Sequence, residues 1–242
     1  MFLITFTRMK TFFTLICVLQ ISLLLAQNNL INQHFDAVDS LYREDQFYIG
    51  LGINFLINRP ENMRQSGFSG GLHAGYIRDM PLNKRRNLSI GLGFGLSINT
   101  YTQNLFIGED PTGQSVFDVL DSNTDYNENR FSTHVVEVPL HIRWRTSNVG
   151  DKSSFWRIYT GVNFGYLYYF KSIYGQNDLS IEQTQLDELN RIRYNLYFAF
   201  GKSKINFFFR YSLNSLFDSN LEDTGRPIEL NEIKAGLVFY FL

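Results

Sequence analysis

The sequence predicts an all-β chain folded as an eight-stranded antiparallel transmembrane β-barrel, with its apolar side chains turned outward. Three observations predict it. Apolar residues alternate with small or polar ones in segment after segment. The polar faces carry charges that hydrocarbon would not tolerate, and the connections between segments alternate short and long.

The elements follow in order. Residues 1–26 read as a cleaved signal peptide: Arg8 and Lys10 supply the positive region, an apolar run follows over 11–25, and Ala26 offers a small residue for cleavage. Met9, followed by Lys10, offers a second start. The single cysteine, Cys17, lies inside that run, so the mature chain is expected to hold no disulfide, catalytic thiol or zinc–thiolate site. Residues 27–45 are polar with scattered apolar positions and read as a periplasmic lead-in of a helical turn or two. The barrel is assigned to 46–242.

From Phe47 the period becomes two. Phe47, Ile49, Leu51, Ile53 and Phe55 share one face. Residues 68–77 form the weakest strand, rich in glycine and alanine. In the third, Leu88, Ile90, Leu92, Phe94, Leu96 and Ile98 alternate with Ser89, Gly91, Gly93, Gly95, Ser97 and Asn99. The fourth sets Val136, Val138, Leu140, Ile142 and Trp144 against Glu137, Pro139, His141, Arg143 and Arg145. The fifth runs from Trp156 with Ile158, Val162, Phe164, Tyr166, Tyr168 and Phe170 on its apolar face. Segments led by Ile192, Ile205 and Ile233 complete eight.

Energy decides which face meets lipid. Turning the fourth strand over would place Arg143 and Arg145 in hydrocarbon, at about 2–4 kcal/mol for each arginine near the midplane. The Leu/Ile/Phe/Trp faces therefore point outward. A soluble barrel would need apolar interiors, which glycine–serine faces serve badly. Connections at 79–86, 147–154 and 201–204 are short, and those at 59–67, 102–130, 171–190 and 218–230 are longer. Short periplasmic turns and longer outer loops produce that pattern, and an even strand count returns the C-terminus to the periplasmic side. Lys234, Gly236, Phe239 and Phe241 form a polar-x-Gly-x-x-apolar-x-apolar ending, like the terminal strand by which bacterial barrels engage their insertion machinery.

The inward polar set includes His73, Glu137, His141, Arg143, Arg145, Arg157, Arg193 and Arg210. In a barrel of this size the interior is just wide enough for side chains, so these read as a plug of ion pairs and hydrogen bonds, with a narrow conduit or binding cavity as the rival. Gly91, Gly93 and Gly95 would leave room for the arginines of the neighbouring strand. For catalysis, Ser132, His134 and Glu137 are the one tempting group, but Glu137 takes the opposite face from the other two. No histidine spacing argues for a metal, and the acidic loop 102–130 lacks the spacing of an EF-hand. No catalytic residue and no cofactor is expected. Leu105, Phe106 and Ile107 in that loop, and Lys84, Arg85 and Arg86 in a short turn, are candidate partner contacts. A net charge of −1 offers no basic face for nucleic acid. The expected partners are outer-membrane lipid and outer-membrane or periplasmic proteins.

Three stretches carry a resemblance: Arg78-Asp79-Met80-Pro81-Leu82-Asn83-Lys84-Arg85-Arg86-Asn87, Gln103-Asn104-Leu105-Phe106-Ile107-Gly108-Glu109-Asp110, and Val136-Glu137-Val138-Pro139-Leu140. They resemble the PorT family of outer-membrane barrels, from about Phe47 to the end of the chain. The resemblance implies a component of the type IX protein secretion system, which also supports gliding motility in some bacteria. It carries over no catalytic residue. A packed eight-stranded interior cannot pass a folded protein, so the implied role is accessory, by protein–protein contact. A subunit of another outer-membrane complex, for barrel assembly or nutrient uptake, is the alternative. A lipid A-modifying enzyme is a more distant one.

Overall fold

A computed structural model of the chain describes residues 45–241 apart from 84, 111, 122 and 147–155. The signal peptide, almost all of the lead-in and the short connection at 147–154 lie outside these residues.

Eleven strands are present among the described residues: β1 (Gln46–Ile57), β2 (Gly70–Pro81), β3 (Leu88–Thr102), β4 (Leu105–Glu109), β5 (Ser115–Val119), β6 (Glu128–Arg145), β7 (Trp156–Gln176), β8 (Leu179–Gln183), β9 (Ile192–Lys202), β10 (Ile205–Ser212) and β11 (Asn231–Phe241). Eight of them form a closed antiparallel barrel in the order β1, β2, β3, β6, β7, β9, β10, β11, with β11 pairing back onto β1. The other three lie in the long connections: β4 and β5 form a separate hairpin, and β8 extends the β7 side of the sheet.

The register fixes the size of the barrel. Stepping sideways through paired residues from Met80 leads to Ile90, Ile142, Thr160, Phe198, Phe209, Ala235, Ile53 and finally Gly70. The path returns to β2 ten residues from its start. With ordinary strand spacings, that stagger over eight strands gives a tilt of about 40° and a backbone radius of about 8 Å. Such a lumen holds side chains and little else.

The wall shows the inside-out pattern. Phe47, Leu51, Leu92, Phe94, Ile142, Phe164, Leu196 and Phe207 are all exposed, while their alternating neighbours are buried, or half-buried at Gly52 and Gly93. On β3 the apolar belt runs from Leu88 to Ile98, which at the tilt above is about 25 Å tall, the height of a lipid-facing band.

Beyond that belt the polarity reverses. β6 begins at Glu128, well before the 136–145 segment that alternation picks out. In its added turn-distal length Phe131 and Val135 face inward and are buried, while Arg130, Ser132 and His134 face out. β3 does the same, with Tyr101 inward and Thr100 and Thr102 outward. A strand surrounded by water, not lipid, needs its apolar face inside, so these strands outgrow the membrane at the end that carries the long loops. β7 makes the change through a bulge. Its pairing with β6 skips Tyr168 between Leu167 and Tyr169, and both Tyr168 and Tyr169 face out. The parity flips there, so Phe170 is buried and not lipid-facing as strict alternation predicts.

Glycines on inner faces are sockets for large side chains. A Cβ on Gly95 would stand 2.1 Å from the Tyr48 hydroxyl, and one on Gly91 would stand 2.6 Å from Arg143 Cδ. Of the three glycines of β3, only Gly91 receives an arginine of β6; Gly93 receives Ile77 and Gly95 receives Tyr48.

Candidate functional site: a filled lumen beneath an apolar cap

The lumen is organised around three buried carboxylates. Nearest the short-turn end, Asp79 accepts from Arg143, and its second oxygen lies 2.7 Å from Arg145 Nη1. Ser89 donates to the same oxygen at 3.2 Å, and Gln46 accepts from Arg143. Arg145 also ties down the β2–β3 turn by donating from Nε to the carbonyl of Arg86 at 3.0 Å. β2 extends to Pro81, so Asp79 belongs to the strand and faces inward, not to a turn beginning at 79.

At mid-height, Arg210 Nη1 donates to both oxygens of Glu137, at 2.8 and 2.9 Å. Asn163 donates to Glu137 at 3.4 Å and lies 2.7 Å from His141 Nε2. The third carboxylate, Glu232, accepts from Arg193 at 3.0 Å and from the Tyr101 hydroxyl, with Lys234 3.7 Å away. Arg193 also donates to Ser212 and to the Ser215 carbonyl.

Aromatic rings fill the gaps between these groups. His141 stacks on Tyr197 with centroids 4.3 Å apart and planes 3° apart. The Arg143 guanidinium lies 4.1 Å from the Tyr159 ring centre, a favourable contact between a cation and a ring face. His73 sits over Gly50 and packs edge-on against Phe208 at 4.6 Å. The Tyr197 and Tyr240 hydroxyls are 3.0 Å apart.

Above the lumen the chain builds a second, apolar core. Leu56, Tyr101, Phe131, Val135, Leu167 and Phe170 rise from the strands to meet Leu105, Ile107 and Phe117 of the β4–β5 hairpin. Leu189, Leu216, Phe217, Leu221, Ile228 and Leu230 close it from the later loops. Polar stitches hold the pieces in place. Asn104 donates to the Asn62 and Leu120 carbonyls and accepts from the Arg64 backbone, and Glu222 N–H donates to the Phe117 carbonyl. At the hairpin tip, Asp110 accepts from the Thr112 hydroxyl and from the backbone of Thr112 and Gln114. Those bonds, the Thr112 hydroxyl foremost, hold its carboxyl below the usual aspartate value.

The structure sorts the residues singled out from the sequence. His73, Glu137, His141, Arg143, Arg145, Arg157, Arg193 and Arg210 are all inside and at most 5% exposed. A water-filled conduit would leave such lining groups wet. Lys234 and Gly236 face inward, whereas Phe239 and Phe241 lie on the outer face. Gly236 has a packing reason: a Cβ there would stand 2.0 Å from the Leu51 carbonyl across the β1–β11 seam.

As partner contacts, Leu105 and Ile107 must be withdrawn. They are 0% and 1% exposed because the hairpin folds inward over the mouth. Phe106 is half-buried against the Tyr174 ring, 5.1 Å away. Arg85 is exposed, Arg86 half-buried, and Lys84 lies outside the described residues. Ser132 and His134 face outward while Glu137 faces the lumen, so no triad forms from them. Among the described residues no cluster of three or more His, Cys, Asp or Glu side chains is placed to hold a metal.

Sequence reasoning missed two of the three carboxylates at the hubs of this network. Asp79 shares parity with His73 and Ile77, so carrying the alternation one step further would have found it. Glu232 shares parity with Lys234 in the same way.

The family model described as outer membrane protein beta-barrel domain matches residues 25–220 of the chain. No curated protein matches it.

Proposed function

This chain belongs to the outer membrane protein beta-barrel domain family, and we propose that it is a non-conducting accessory barrel of the type IX protein secretion and gliding machinery. In this reading it anchors or assembles partners through its outer surfaces and is not the export pore. Residues 1–26 are removed on export, the lead-in and both termini lie in the periplasm, and the long loops face outward. The role is structural, with no chemistry assigned to any residue.

One observation carries the choice of a non-conducting role: every strand of the barrel contributes buried side chains to a lumen of about 8 Å backbone radius, and an apolar core covers its mouth. An export conduit needs the opposite, a wide and hydrated interior. The secretion assignment rests on the resemblance of the Arg78–Asn87 stretch. The described part of that stretch is not a bare surface turn, since Asp79 inside it ties β2 to Arg143 and Arg145 of β6.

Two measurements test the reading. The purified barrel in planar bilayers should show no stepwise conductance; stable open-channel steps would refute the non-conducting role. Deletion of the gene should abolish secretion and surface display of type IX cargo, and normal cargo export would refute the assignment. Mild-detergent purification that recovers barrel-assembly or nutrient-uptake subunits in place of secretion partners would also refute it.

A further inference from the structure

The rim at the short-turn end carries cations that the lumen network does not use. Arg78 leaves the outer face of β2, between Tyr76 and Met80 along the strand and beside Leu92 of β3. Lys202 leaves the outer face of β9, paired across to Trp156 of β7 and Ile205 of β10. Both are exposed. After correction for the ten-residue climb of the sideways path, Arg78 and Lys202 stand level with each other and with Phe47 and Phe241, to within about one residue. They therefore project sideways from the lower part of the apolar wall, about 4–7 Å above the level of Leu88 and among aromatic side chains, within reach of its edge for a long side chain. Arg85 and Lys204 continue the positive charge onto the two described turns below.

None of these four cations takes part in an ion pair with a described residue. Of the described acids at this end, Asp79 is buried beneath Arg143 and Arg145, and Asp45 is not within ion-pair distance of any of the four cations. At the opposite rim the outward cations carried by the strands themselves, Arg130 of β6 and Lys171 of β7, are matched by Glu128 and Glu182.

Position selects the partner. Arg78 and Lys202 lie on strands four places apart in an eight-strand wall, hence on opposite sides of the barrel. A single protein docked against the wall reaches one side, whereas a layer of lipid headgroups surrounds both. Long cationic side chains at the edge of an apolar wall extend toward the headgroup region. We infer that the short-turn rim is a binding belt for anionic phospholipid, in which Arg78 and Lys202 hold headgroup phosphates, assisted by Arg85 and Lys204. The inference rests on the membrane-barrel reading but not on the secretion role. It gives that rim a preference for the anionic lipid of one leaflet.

The chain contains its own reporters. Its two tryptophans, Trp144 and Trp156, lie at this rim, and Trp156 neighbours Lys202 directly. The purified full chain is placed in phosphatidylcholine nanodiscs holding a minor fraction of brominated phosphatidylglycerol or, separately, of brominated phosphatidylcholine. Tryptophan quenching then reads which lipid gathers at the rim. The phosphatidylglycerol should be enriched about fivefold for each engaged cation, and the enrichment should fall several-fold in R78Q/K202Q and in 0.5 M salt. Both positions lie outside the lumen network, and the heat-dependent gel mobility of a folded barrel verifies the variant. Should the variant fail to fold, the salt series on the unaltered protein decides alone.

Equal quenching by the two lipids overturns the inference, as does an enrichment indifferent to salt or to the double substitution. Either result leaves the secretion role standing. Normal cargo export in a deletion strain would refute that role without touching the lipid belt.

Discussion

Arg210 is the side chain whose removal tests the lumen most directly. Its Nη1 donates to both oxygens of Glu137, and the two residues are 3% and 2% exposed. In Arg210→Met the carboxylate keeps only the long 3.4 Å bond from Asn163. Breaking one partner out of a buried ion pair costs about 3–5 kcal/mol. Lys234 also acts electrostatically on Glu137, which places the expected loss near the lower end, about 3 kcal/mol. With a urea slope of about 1.5–2 kcal/mol/M, the midpoint should fall by about 1.5–2 M. The assay is equilibrium urea unfolding of the barrel in phospholipid vesicles, followed by the fluorescence of Trp144 and Trp156. The companion variant Arg210→Met/Glu137→Gln removes the stranded charge as well, and it should recover more than half of the loss. A single substitution costing under about 1 kcal/mol would refute the claim that this pair is shielded from solvent in a filled lumen, since a hydrated channel screens such pairs to that level. A double variant no better than the single would refute the attribution to a stranded carboxylate.

Three further outcomes are expected. Gly236→Ala forces a Cβ against the Leu51 carbonyl and Gly52 Cα on β1, so it should block closure of the β1–β11 seam; a normal yield of heat-modifiable, folded barrel would count against this. Leu105→Ala empties part of the cap at a cost of about 2–4 kcal/mol. Hydrogen exchange should speed up across β4 and β5 while the membrane-level amides stay protected, and uniform acceleration would show cap and barrel to be one cooperative unit. The Asp110 carboxyl lies below its ordinary 3.8. Its contribution to hairpin-tip order is therefore present above that pH and is lost only as the pH falls through the lower folded value. The Thr112 and Gln114 amide shifts should titrate with a midpoint under 3.8, and a midpoint at or above it would refute the bonding described.

The sequence by itself determined the number of barrel strands, their faces and the inversion of the wall. Period-two alternation has only two registers, and arginines at positions 143, 145, 157, 193 and 210 forbid the one that puts them in lipid. That argument is local, so a linear reading suffices. The tertiary structure alone decided what the polar residues do. Glu137 finds Arg210 seventy-three positions away, and Asp79 finds Arg143 sixty-four positions away, because the stagger of the closed sheet brings them to one height. Alternation carries no information on height. It also cannot mark where a strand leaves the membrane, since the pattern then continues with its meaning reversed, as at Phe131 and Val135, or slips at a bulge, as at Tyr168. For the same reason Leu105 and Ile107 resembled partner contacts in the sequence. An apolar loop residue looks the same whether it waits for another protein or closes over its own barrel, and only the fold of the β4–β5 hairpin distinguishes the two.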